Sequence, residues 1–155
     1  MPSLKAGDKA PLFSLPSQDG SVVTLKDLKG KKVVLYFYPK DDTPGCTVEA
    51  CGFRDLNRQI RDQNAIVIGV SPDSPQSHGA FVTKFKLPFI LVSDADKKTC
   101  QDYGVWVEKS MYGRKYFGVA RTTFIIAEDG KIEKIYEKVK PPEHHTEVLQ
   151  YLKGE

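Results

Sequence analysis

The sequence predicts an α/β fold in which a mixed central sheet is flanked by helices and preceded by an N-terminal β-hairpin. Three observations carry that expectation. Val33 to Tyr38, a helical pattern from about Thr47 to Arg61, and Ala65 to Val70 run strand, helix, strand at the spacing of a parallel βαβ unit. Thr122 to Ala127 and Lys131 to Glu137 flank Glu-Asp-Gly, a strong hairpin signal. Pro141-Pro142 then opens a last helix with Val148, Leu149 and Leu152 on its inner face.

Taken in order, the chain starts with short apolar runs at 12–15 and 21–25. They surround Pro16-Ser-Gln-Asp-Gly20 and read as a hairpin with a five-residue loop. Leu25 to Gly30 is one helical turn stopped by glycine. Val33 to Tyr38 is almost continuously apolar, as a strand covered on both faces requires. Beyond the βαβ unit, Ser74 or Ser77 caps a helix whose core face includes Phe81 and Phe85. Pro88 ends that helix, and Phe89 to Val92 is a third short strand. Asp96 to Tyr103 forms another short helix closed by Gly104. Val105 to Ala120, with Trp106, several glycines and mixed charges, fits no single element. This order suits a thioredoxin-like architecture with an N-terminal extension, as a single domain over residues 1–155.

Composition narrows the functional classes. A 40% apolar and 28% charged chain suits a globular protein, and its net charge is only +3. Lys and Arg are interspersed with Asp and Glu, without the basic stripe expected of a nucleic-acid binder. No apolar run approaches the roughly 20 residues of a membrane helix. The first residues lack the apolar core of a secretion signal, so a cytoplasmic location is expected. Three cysteines do not form a disulfide framework, and a close pair in a reducing compartment points to catalysis or metal binding.

That pair lies in Pro39-Lys-Asp-Asp-Thr-Pro-Gly-Cys-Thr-Val-Glu-Ala-Cys51, between a buried strand and a helix. A helix start favours an anion through its unpaired N–H groups and positive dipole end, so Cys46 is placed to be a reactive thiol. At about 100° per residue, Cys46, Glu49, Phe53, Leu56 and Ile60 share one face, while Cys51 falls about 160° from Phe53. Standard helix geometry separates the Cys46 and Cys51 Cα atoms by about 8 to 9 Å. A disulfide needs roughly 4.4 to 6.8 Å, so the two bond only if the first helical turns unwind. Gly52 either eases that unwinding or allows close packing. Thr43 either caps the helix or hydrogen-bonds a substrate oxygen.

The loop resembles the active-site segment of the peroxiredoxins, specifically the Q type, also called bacterioferritin comigratory protein. The family's Pro-x-x-x-Thr-x-x-Cys stands here as Pro39, Thr43 and Cys46, with the subgroup's second cysteine at Cys51. The likeness extends to Gly7-Asp-Lys-Ala-Pro-Leu-Phe13, Gly69-Val-Ser-Pro-Asp73, Tyr103-Gly-Val-Trp106 and Val119-Ala-Arg-Thr-Thr-Phe-Ile-Ile126. It implies a thioredoxin fold and reduction of hydrogen peroxide and organic hydroperoxides. Cys46 would be the peroxidatic cysteine, oxidised to a sulfenic acid, and Cys51 the resolving cysteine, closing a disulfide that thioredoxin or a similar dithiol reduces. Arg121 would stabilise the anionic sulfur and polarise the peroxide, and Glu49 would orient Arg121. Pro39 would shield the thiolate from water, and Thr43 would contact the peroxide, with Gly45 and Cys46 N–H groups completing the cradle. Members of the type are often monomers, and no cofactor is implied.

Other readings are a thiol–disulfide oxidoreductase, a metal-binding module or a redox-sensing interaction protein. The first usually shows C-x-x-C, whereas this spacing is C-x-x-x-x-C. A structural zinc site needs four ligands, and no histidine here completes a set with the three cysteines. Cys100 reads as an inert part-buried thiol and Trp106 as core packing. His78, His144 and His145 read as surface residues.

Overall fold

A computed structural model describes residues 4–154. The early hairpin pairs β1 (Ser14–Pro16) with β2 (Val22–Thr24), and a 3-10 turn at Leu25–Leu28 leads to β3 (Lys32–Phe37). Next come α1 (Pro44–Asp62), β4 (Ala65–Ser71), α2 (Pro75–Phe85) and β5 (Ile90–Ser93). The short α3 (Lys98–Asp102) precedes β6 (Trp106–Met111) and β7 (Arg114–Val119). The chain closes with β8 (Thr122–Ile126), β9 (Ile132–Tyr136) and α4 (Pro141–Leu152). No helix among the described residues is long and apolar enough to cross a membrane.

The central sheet has the order β5-β4-β3-β8-β9. β3, β4 and β5 are parallel, β8 runs antiparallel to β3, and β9 pairs antiparallel with β8 and so points the same way as β3, which makes the sheet mixed as expected. Because alternate residues of a strand point to opposite faces, β3 feeds two cores. Val33, Leu35 and Phe37 pack with Cys100, Tyr103 and Phe124 on one face. Val34, Tyr36 and Tyr38 pack on the other with Cys46 and Phe53 of α1, Phe81 of α2 and Val148 of α4. Both faces of β3 are covered, which is why its sequence shows no polar alternation.

Two differences from the sequence reading stand out. The unassigned segment is an antiparallel ribbon, β6 with β7, turning at Tyr112 and Gly113, whose φ values are 53 and 78°. α2 stops before Pro88, with Lys86 left-handed at φ 53° closing it. Ser74, of the two serines considered, caps α2 by accepting from Ser77 N at 3.1 Å.

Candidate active site

β3 ends at Phe37, and the chain turns through Asp42, left-handed at φ 56°, into α1. Thr43 occupies the N-cap position, but its hydroxyl makes no capping bond; Oγ1 donates to Lys40 O at 2.9 Å. Its carbonyl accepts the first helical bond, from Thr47 N at 2.8 Å. The N–H groups of Gly45 and Cys46 therefore have no intrahelical acceptor. Pro44 stands at the position where a missing N–H costs nothing.

Cys46 is 1% exposed and lies on the core side of α1, while Cys51 is half-buried on the opposite flank; both are free thiols. Arg121, just before β8, reaches across to the helix start. Its Nη1 donates to Cys46 Sγ at 3.4 Å and to Glu49 Oε1 at 3.0 Å. Gly45 permits this approach, since a Cβ there would stand 3.2 Å from Arg121 Nη2. A guanidinium within reach of the sulfur stabilises it as an anion, the form in which a thiol attacks.

Glu49 is fully buried, and its Oε2 has no hydrogen-bond partner. Burial pushes its carboxyl up to about 7, and Arg121 pulls the other way without winning. A second cation flanks the site: the Lys109 ammonium is held below the usual lysine range by burial first and then by Arg121, while Cys46 opposes the shift. Lys109 lies on the β6–β7 ribbon, the segment the sequence left unassigned.

Cys46, Glu49 and Arg121 are thus brought into one bonded group. Pro39 and Thr43 bracket the loop leading into Cys46, and Cys51 stays apart from all of them. Cys100 is also fully buried, and burial followed by the Asp94 carboxylate pushes its thiol far above the ordinary range.

The histidine expectation is corrected. His78 and His144 are both fully buried, and His145 is half-buried. His144 bridges Thr123 Oγ1 and Glu147 Oε1, each at 2.7 Å, which is how α4 buries a polar ring against β8. His78 bonds to Asp41 of the active loop, a residue the sequence reading did not single out. Gly52 is also resolved: a Cβ at this position would run into the His145 ring, so this glycine lets α4 pack closely on α1.

The AhpC/TSA family model matches residues 6–135. A putative peroxiredoxin bcp of Coxiella burnetii is 52% identical, covering 97% of this chain and 99% of that protein. Peroxiredoxin Bcp of Escherichia coli K12 is 48% identical, covering 99% and 98%. The chain belongs to the AhpC/TSA family of peroxiredoxins. Its peroxiredoxin fold matches that of the Xanthomonas campestris bacterioferritin comigratory protein, with a TM-score of 0.91 and 37% identity over 97% of this chain and 98% of the other. As a peroxiredoxin it is a thiol-dependent peroxidase, an oxidoreductase.

Proposed function

We propose that this peroxiredoxin reduces hydrogen peroxide and organic hydroperoxides through Cys46, with Cys51 as the resolving cysteine and thioredoxin or a similar dithiol as reductant. In the first step the Cys46 thiolate attacks the terminal peroxide oxygen. The O–O bond breaks, Cys46 becomes a sulfenic acid, and the alkoxide or hydroxide takes up a proton and leaves as alcohol or water. Arg121 stabilises the sulfur and the developing charge, and Glu49 holds Arg121. Thr43, its hydroxyl proton committed to Lys40 O, presents oxygen lone pairs to the peroxide, and Pro39 covers the approach. In the second step the Cys51 thiolate displaces hydroxide from the sulfenic sulfur, giving water and a Cys46–Cys51 disulfide. An external dithiol then reduces that bond. The observation that carries this reading is the 3.4 Å hydrogen bond from Arg121 to a buried sulfur in the first turn of α1.

The alkyl peroxide reduction activity associated with the X. campestris structure supports the wider substrate range. Both cysteines lie within one helix, which favours resolution inside one chain and a monomer of one domain over residues 1–155. A cytoplasmic location fits the reducing conditions that the free thiols need.

The reading is tested by mixing reduced protein with one equivalent of hydrogen peroxide and following Cys46 by stopped flow and mass spectrometry. Rapid loss of the thiol followed by a Cys46–Cys51 disulfide is expected, together with a drop in helical circular dichroism as the start of α1 unwinds. Slow oxidation spread over all three cysteines would sink it. Cys51→Ser should retain the first oxidation and lose dithiol-driven turnover.

A further inference from the structure

The loop between β3 and α1 is anchored by a buried polar cluster that makes no hydrogen bond to the reacting sulfur. Asp41, 8% exposed, is its centre. Oδ1 accepts from Tyr38 OH at 2.6 Å, and Oδ2 accepts from Ser77 Oγ at 2.8 Å. The same Oδ2 faces His78 Nδ1 at 2.7 Å. The Asp41 N–H donates to Asp73 Oδ2 at 2.7 Å, and that oxygen also accepts from Ser71 Oγ at 2.7 Å. The ends of β3 and β4 and the first turn of α2 all converge on one residue of the active loop.

His78 is the member with the most constrained chemistry. Its Nε2 lies 2.9 Å from Val92 O, and a carbonyl oxygen only accepts, so Nε2 carries a hydrogen. Nδ1 lies 2.7 Å from Asp41 Oδ2, a short bond in which one hydrogen lies between the two atoms. The ring is hydrogen-bonded at both ends and is fully buried. Asp41, Asp73 and His78 offer atoms within 4.8 Å of one another, as a cation site would. A cation there would have to break the Nδ1–Asp41 bond and displace the hydroxyl donors, so the cluster reads as a closed hydrogen-bond network.

A buried polar network is a poor source of stability, because desolvation offsets most of its attraction; its best attested use is to fix one arrangement over others. What this network fixes is Asp41, two residues from Pro39 and two from Thr43. The rest of the loop has weaker ties: the Thr43-to-Lys40 bond and an exposed Asp42–Lys84 pair at 2.8 Å. The proposed cycle unwinds and rewinds the helix start just beyond this point, so the loop needs an anchor that stays in place.

We propose that His78, acting through Asp41, is a positioning residue that holds Pro39 and Thr43 where peroxide meets Cys46. This rests on the assignment of Cys46 as the peroxidatic cysteine. The part that matters is the Nδ1 bond to Asp41, while the Nε2 bond to Val92 ties the ring to β5.

Two amide variants separate these bonds. In His78→Asn the short amide nitrogen reaches the Nδ1 position, keeping Asp41 and abandoning Val92. In His78→Gln the longer amide does the reverse. Each removes one buried hydrogen bond and replaces the ring by a neutral amide, so both should unfold at similar urea concentrations. The readout is the second-order rate constant of Cys46 oxidation by hydrogen peroxide. His78→Gln should slow it by about tenfold or more, as a displaced catalytic group does, and His78→Asn by about threefold at most. Equal slowing in the two variants, or none in either, would overturn the proposal. If either variant fails to fold, Tyr38→Phe decides: it keeps the ring and removes only the hydroxyl on Asp41. A slowing of about threefold or more there supports the proposal, and an unchanged rate refutes it. The parent protein run alongside tests the underlying reading separately, since a parent whose Cys46 oxidises slowly refutes the cysteine assignment and not merely the role of His78.

Discussion

Cys46 and Cys100 occupy the same local position. Each is the third residue of a helix that follows a sheet strand, and each is buried, at 1% and 0% exposure. Their neighbours differ in sign. Cys46 accepts a hydrogen bond from the Arg121 guanidinium, whereas Cys100 sits over the Asp94 carboxylate, to which its own N–H donates at 2.7 Å. Asp94 also accepts from Thr99 N at 3.1 Å, so the start of α3 is already occupied by an anion. A thiolate there would face both burial and like charge. A helix start is therefore common ground, and the charge placed against it sets the two thiols apart, in line with the proposal that Cys46 reacts and Cys100 does not.

The largest effect should come from removing each sulfur in turn. Cys46→Ser is expected to abolish peroxide turnover, while Cys100→Ser should leave the rate within about twofold, because its thiol stays protonated. Comparable losses in both would break the contrast. Next in size is Arg121→Met, which keeps the stem and removes the charge. The rate of Cys46 oxidation should fall about 100-fold or more, the usual scale for deleting one preorganised electrostatic group. A stopped-flow rate close to the parent's would mean that the helix start alone activates the sulfur.

Glu49 adds a pH dependence with a definite sign. Its folded pKa of about 7 lies above the ordinary carboxylate value, because burial outweighs Arg121. The folded protein thus binds this proton more tightly than the unfolded chain. Glu49's contribution is most favourable below pH 4.5, falls as pH rises from 4.5 to 7, and is flat above that, with a total change on the order of 3 kcal/mol. Glu49→Gln cannot titrate, so its urea midpoint should decline less than the parent's between those limits. Parallel midpoint curves for the two proteins would rule out Glu49 as the buried titrating group.

Gly52 carries a smaller prediction. Alanine is the better helix former by about 1 kcal/mol, so a glycine kept for easy unwinding would give a stabilised Gly52→Ala protein. Because a Cβ meets the His145 ring, the variant should instead be destabilised, by about 1 to 3 kcal/mol in urea unfolding. A higher midpoint would restore the hinge reading.

Most of the sheet was legible because buried strands announce themselves as apolar runs, and β3, β4 and β8 are such runs. The orientation of Cys46 and Cys51 also followed from helical period alone. The β6–β7 ribbon escaped because Tyr112, Tyr116 and Phe117 are exposed, so its hydrophobicity does not mark a core face. Its turn also places a tyrosine, rather than the usual asparagine or glycine, at a positive φ. The Arg121–Glu49 pair joins residues 72 positions apart, and only family likeness suggested it. His78 and His144 looked exposed because nothing near them in sequence explains their burial; their partners Asp41 and Thr123 lie 37 and 21 positions away.

The finest test of the two cysteines is Asp94→Asn. Burial is the larger cause holding the Cys100 thiol in its protonated form, and the Asp94 carboxylate is the smaller one. The substitution removes only the second, and it leaves the Cys100 N–H facing an amide that cannot accept at both positions. Maleimide labelling of Cys100 at pH 8 should therefore rise modestly, by about threefold, and remain far below that of Cys46. Labelling equal to that of Cys46 would show that charge alone sets thiol reactivity in this fold. No rise at all would assign the whole difference to burial, and the Arg121 guanidinium would then matter for the peroxide rather than for the sulfur.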